Sequence, residues 1–358
     1  MSSNIFIKKF SVTPLKAPLI QPFRTALGEH KELENLLFQI ELNDGTKGLG
    51  EAAIATHITE ETWKETKKNL DAVGESLLGR EIGDYFNISR ELHERLSKNK
   101  SAVAALETAM LDALTKRWKI PLWKFFGSKS MSLKTDITIV ISDLEETEQA
   151  VKKYFQQGFH AFKVKIGRDF DLDIKRVLVV KRLASRSQIY LDANQGYSAK
   201  EMLEFLKILQ AHKIKIDLLE QPVPKDDWEG LKKVTKEGGV LVCADESVRS
   251  IPEAVRLIQE RTAHVINIKL MKFGILQSRE IVFLAKAAGI DLMIGGMMET
   301  SLAMTAAAHL ACGMGCFKYV DLDTPFFIKE GYDKNPYLSK DGIYDLRKVK
   351  SGIGFDRI

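Results

Sequence analysis

A chain of 358 residues, 45% hydrophobic and 28% charged, has ordinary globular composition and can bury a large core without disulfide staples. Its formal net charge of +5 is small and its Lys and Arg residues are scattered, which argues against nucleic acid as a partner. No apolar run is long enough to span a membrane and no signal-peptide core opens the chain. The cysteines, Cys243, Cys312 and Cys316, lack CxxC spacing, so a reducing, cytoplasmic setting is expected.

The first third reads as an α+β unit over residues 1–125. "NIFIKKFSVTPL" alternates like a strand, and "NLLFQIELNDGTKGLGEA" reads as a hairpin turning at Asn43-Asp44-Gly45. Helical stretches follow: "TEETWKETKKNLDAVGESLLG", "DYFNISRELHERLS" and "SAVAALETAMLDALTKRWK". The last is small and apolar almost all round and should be buried. From about Lys134 a β/α rhythm takes over. Strand-like runs recur at "TDITIVIS", "AFKVKI", "QIYLDA", "IDLLEQ", "VLVCADE", "HVINIK", "IDLMIGG" and "FKYVDLD", separated by amphipathic helical stretches. Eight such runs suggest a (β/α)₈ barrel over residues 126–325, although a doubly wound open sheet gives the same local pattern. The helix after the last strand is missing. Residues 326–358 look loop-rich and are expected to return to the first unit.

In such barrels the chemistry lies at the C-terminal strand ends. Those ends carry Lys163 and Lys165, Asp192, Glu220, Asp245, Lys269, and finally Asp321 and Asp323. A single Asp after a strand usually caps a helix or starts a turn. Three acids on three successive strand ends, flanked by lysines, are harder to explain that way. Strands of this kind are buried on both faces, so charges belong at the mouth. Converging carboxylates need a cation, and hard oxygen donors suit Mg²⁺. No His or Cys joins the set, which disfavours zinc. Lys163 is expected to lower the proton affinity of Lys165 by like-charge repulsion, making Lys165 a general base. A base on each face of a carbon α to a carboxylate, with a cation nearby, inverts that stereocentre.

"PFRTALGE", "GLGEAA", "KVKIG", "LDANQGY", "EQPV", "ADES", "INIKLMK" and "DLD" together resemble the enolase superfamily, muconate-lactonizing subgroup, and within it the dipeptide epimerases. The resemblance spans essentially the whole chain. It implies a modified TIM barrel, (β/α)₇β, with an α+β capping domain that also takes the C-terminal segment. It implies one Mg²⁺ on Asp192, Glu220 and Asp245, Lys165 and Lys269 as the acid/base pair, and Lys163 touching substrate. Asp321 and Asp323 resemble a clamp for the α-ammonium of a small dipeptide. Carried over in the same way are substrate contacts at Thr135, Gly296 and Met297. Arg24, in the specificity loop, could pair with the Glu of a peptidoglycan-derived Ala-Glu, or equally face solvent or pair with Glu29; Met297 and Met298 would instead suit a small or apolar second residue, as in Ala-Ala. A broad Ala-Xaa epimerase, with a homo-oligomer among the open assembly states, is the expectation. Muconate cycloisomerases, o-succinylbenzoate synthases and N-acylamino acid racemases use the same lysines and metal without an ammonium clamp. A sugar-acid dehydratase, a non-catalytic barrel and a phosphate-binding barrel fit less well.

Overall fold

Strand propensity carries the start of the chain into an antiparallel sheet of β1 (Ile7–Arg24), β2 (Glu29–Leu42) and β3 (Lys47–Ala52). The computed structural model describes residues 4–127 and 129–357, the side chain of His57 excepted, so boundaries at residues 1 and 358 lie outside it. β1 continues well past Leu15, further than its alternation suggests. Pro18 and Pro22 cannot donate to a ladder, and the pairing with β2 slips after Pro18 before resuming at Phe23 opposite His30 and Arg24 opposite Glu29.

Helices Trp63–Leu77 and Lys100–Arg117 pack on this sheet, and Tyr85–Arg95 packs against the second of them; the long buried helix is Lys100–Arg117. In the last, every residue from Ser101 to Thr115 is buried, as its composition predicts. Gly48 and Gly50 of β3 explain how it packs so closely. A Cβ at either position would run into the carbonyl oxygens of Ala109 and Ala105.

β4 (Ser132–Lys134) leads into the main sheet: β5 (Ile137–Ile139), β6 (Ala161–Lys165), β7 (Gln188–Asp192), β8 (Leu218–Glu220), β9 (Val242–Ala244), β10 (Val265–Lys269), β11 (Asp291–Gly295) and β12 (Tyr319–Val320). Each pairs in parallel with its sequence neighbours. A helix follows each strand from β5 to β11; after β12 comes only a 3₁₀ turn, Thr324–Phe327. The two ends of the order meet where Asp136 N donates to Val320 O at 2.9 Å, so the parallel sheet curls back on itself. Below the strand ends, Tyr190, Leu218, Cys243, Val265, Met293 and Tyr319 form a separate apolar plug.

The chain's end pairs β13 (Ile343–Asp345) with β4, then runs to the first unit. Asp112 organises this junction. Its carboxylate accepts from Leu49 N at 3.0 Å, Ile353 N at 2.8 Å and Lys116 Nζ at 2.8 Å. Removing one partner of a buried ion pair strands the other. Asp112→Ala should therefore lower stability by about 3 kcal/mol, read as a fall in the urea midpoint at unchanged slope. Among the described residues no helix is long and apolar enough to cross a membrane.

Candidate active site

Alternation along β6 sends Phe162 and Val164 into the apolar core and brings Lys163 and Lys165 to the interior of the curled sheet. There the ammonium groups meet carboxylates from other strands. Lys163 Nζ lies 2.6 Å from Asp321, 2.7 Å from Glu220 and 3.0 Å from Asp192. Lys165 Nζ donates to Asp192 at 2.6 Å and to Asn194 Oδ1 at 3.2 Å. Lys269 Nζ stands 2.7 Å from Asp245. Asp192 and Glu220 are direct cross-strand partners on β7 and β8, and Asp245 follows β9 by one residue.

The electrostatics follow from burial and these contacts. Burial pushes the Asp192 carboxyl up, but the ammonium groups of Lys163 and Lys165 outweigh it and hold Asp192 well below the usual range. Asp245 is held down in the same way by Lys269 and Lys272. Glu220 is pushed up to about 7, by burial first and by Asp192 second, against the pull of Lys163. Burial works against the charge on Lys163 and Lys269, yet their carboxylate neighbours raise both above the ordinary lysine value. The ammonium of Lys163 is ringed by three carboxylates, and it shares one of them, Asp192, with Lys165.

The set Asp192, Glu220 and Asp245 fits a hard divalent cation. It offers only oxygen donors, and Glu220 Oε2 and Asp245 Oδ2 are buried without a hydrogen bond. Each has a lysine ammonium 2.7 Å away, Lys163 at Glu220 Oε2 and Lys269 at Asp245 Oδ2. Among the described residues a different carboxylate group also gathers, Asp136, Asp321 and Asp323, with one oxygen of each within 4.8 Å of the others.

Several supporting residues were not singled out by sequence. Lys272 donates to Asp245 Oδ1 at 2.8 Å and to the carbonyls of Asp245 and Asn267. Asn267 donates to Glu220 Oε1 at 2.7 Å. Gln221, in the left-handed region at φ 35°, accepts from the Asp245 and Ser247 amides. Arg176, fully buried, donates to the Lys165 carbonyl at 2.6 Å. The second lysine of "KLMK" and the Gln after Glu220 were the available signals.

A cavity of about 770 Å³, measured out to its open mouth, gathers Lys165, Lys269, Asp321, Asp323, Gly296 and Met297. Its outer wall comes from the first unit, with Phe23, Leu27, Ile54 and Ile58. Three expected contacts do not line it: Lys163, buried beneath among Asp192, Glu220 and Asp321, and then Thr135 and Arg24. Thr135 is buried with its hydroxyl accepting from Leu322 N at 2.7 Å; Thr138, three residues on, lines the cavity instead. Arg24 faces away, its Nε donating to Glu29 at 2.8 Å, because the two residues are cross-strand partners on β1 and β2.

Residues 9–127 match the mandelate racemase / muconate lactonizing enzyme N-terminal domain, and residues 145–357 match the enolase C-terminal domain-like family. A relative from Citrifermentans bemidjiense, named hydrophobic dipeptide epimerase, is 45% identical and covers 99% of both chains. The substrate-liganded L-Ala-D/L-Glu epimerase of Bacillus subtilis superposes with a TM-score of 0.94 at 33% identity, over 98% of each chain. The dipeptide epimerase of Enterococcus faecalis, solved with Mg and L-Leu-L-Tyr, gives 0.92 at 31% identity, over 98% of this chain and 99% of that one. Likeness of this extent in sequence and fold together places the chain in the mandelate racemase/muconate lactonizing enzyme family of the enolase superfamily, on its dipeptide epimerase branch.

Proposed function

We propose that this chain is a Mg²⁺-dependent isomerase that epimerises Ala-Xaa dipeptides at the α-carbon of the second residue. One observation carries the reading. Lys165 on β6 and Lys269 on β10 line a single cavity with Asp321 and Asp323, and three strands separate β6 from β10 in either direction around the sheet. Two bases half a turn apart reach opposite faces of one carbon. We read the curled sheet as a (β/α)₇β barrel over residues 126–325, capped by residues 1–125 together with the segment from 326 onward.

Asp192, Glu220 and Asp245 would hold the ion. When bound, Mg²⁺ supplies positive charge beside a substrate carboxylate whose α-proton is leaving. The remaining work belongs to the chain. Asp321 and Asp323 accept hydrogen bonds from the dipeptide's α-ammonium and set its register. One lysine, neutral in that state, takes the α-proton; the other, protonated, returns a proton to the opposite face. Lys163 neutralises the carboxylates beneath. The capping wall excludes water from the reacting carbon.

The second side chain is read as apolar. Phe23, Leu27, Ile54, Ile58, Met297 and Met298 line the cavity, and among the described lining residues the only lysines or arginines are Lys165 and Lys269. An unpaired Glu side chain there loses hydration without gaining a partner. In D₂O with Mg²⁺, Ala-Leu and Ala-Phe should lose the second α-proton at least about tenfold faster than Ala-Glu, with the diastereomer appearing by NMR. Arg24→Ala should leave that ranking unchanged, since its guanidinium points to Glu29. Faster turnover of Ala-Glu, lost in Arg24→Ala, would reverse the specificity reading. No exchange with any dipeptide, in protein that binds Mg²⁺, would end the epimerase reading.

A further inference from the structure

Asp136 stands immediately before β5 and is 2% exposed. Neither of its carboxyl oxygens meets a hydrogen-bond donor. The chain places it there firmly. Asp136 N donates to Val320 O at 2.9 Å, Leu322 N donates to Thr135 Oγ1 at 2.7 Å, and Thr138 N donates to Asp323 Oδ2 at 2.6 Å. These bonds lock the start of β5 against residues 320–323 and hold the carboxyl of Asp136 against those of Asp321 and Asp323, all within 4.8 Å.

Three carboxylates so close and so buried cannot all be ionised. The charged and titratable groups facing Asp136 are Asp321 and Asp323 beside β12, Lys163 on β6 and Tyr190 on β7. The ammonium of Lys163 is spread over Asp321, Asp192 and Glu220. Asp321 has that ammonium at 2.6 Å, and Asp323 has the Thr138 amide. Asp136 has neither. Burial, and then repulsion by Asp321 and Asp323, raises its carboxyl well above the usual range. Of the three, it is the one whose anion has least support.

We propose that Asp136 is the positioning residue of the ammonium clamp: its carboxyl keeps its proton, donates a hydrogen bond to Asp321, and holds Asp321 and Asp323 as adjacent acceptors facing the cavity. This rests on the epimerase reading above, in which those two residues receive the dipeptide's α-ammonium. Asp136 itself does not line the cavity. It acts through Asp321.

The test compares Asp136→Asn, which keeps a donor of similar shape, with Asp136→Leu, which removes it, and uses Asp321→Asn as a reference. In the Leu variant KM for the preferred dipeptide should rise about tenfold or more with kcat within about threefold, the size expected when a charged acceptor loses a buried donor. The Asn variant should recover most of that loss. Infrared difference spectra should show a buried carboxylic-acid carbonyl band in the parent that is missing in Asp136→Asn. KM unchanged in a folded Leu variant, while Asp321→Asn raises it, would overturn the role of Asp136 alone. KM unchanged in Asp321→Asn as well would remove the ammonium clamp itself. If the Leu variant does not fold, the infrared band decides, because a parent without it has no protonated Asp136.

Discussion

Replacing Lys165 or Lys269 by Gln will slow epimerisation by about 10²–10⁴-fold, the range a positioned acid or base contributes. The more telling result is how isotope exchange divides. With one lysine gone, the other still takes and returns a proton on its own face. Each variant should then wash deuterium into one diastereomer of the dipeptide and not the other, and the two variants should retain opposite diastereomers. Gln suits the test because its amide still donates: at position 165 towards Asp192 and Asn194, at position 269 towards Asp245, so no buried carboxylate is stripped of every neighbour. Loss of exchange from the same diastereomer in both variants would mean that the lysines do not face opposite sides of the carbon.

Why the lysines and acids were legible, and other residues were not, has a physical basis. Lys163, Lys165, Asp192, Glu220, Asp245 and Lys269 are charges placed where a doubly covered parallel strand allows none except at its mouth. Their burial is expensive, and that expense is visible in a sequence. Register is less visible. "TDITIVIS" offers Thr135, Asp136 and Thr138, and nothing local says which face each takes. Pairing of Thr138 with Lys163 decides it, sending Thr138 to the cavity and leaving Thr135 to hold Leu322. Arg24 illustrates the same point on β1. The sequence leaves Arg24 open to a substrate carboxylate, to solvent or to Glu29, and the pairing of β1 with β2 decides for Glu29 by placing it directly opposite. Gln221 and Lys272 act through hydrogen bonds to Asp245 that join different strand ends, a relation that no single stretch of chain contains.

Stripping the protein of Mg²⁺ with a chelator will abolish turnover but leave the fold intact. The reason lies in how the charges balance without the ion. Asp192, Glu220 and Asp245 already have the ammonium groups of Lys163, Lys165, Lys269 and Lys272 within 3.0 Å. The carboxylates therefore do not force the site apart, and circular dichroism of the metal-free protein should match that of the holoenzyme. Adding Mg²⁺ back should restore activity and raise Tm, because an ion that binds only the native state stabilises it by about 2.7 kcal/mol at a hundred times Kd. Glu220→Gln and Asp245→Asn each remove one anionic donor from a set of three. They should fold, lose turnover, and lose most of the Mg²⁺-induced rise in Tm. A full rise in either variant would place the ion elsewhere, with the Asp136, Asp321 and Asp323 group as the next set to test by the same titration. Loss of secondary structure on chelation would instead mean that the lysines do not neutralise the site and that the ion is part of what folds it.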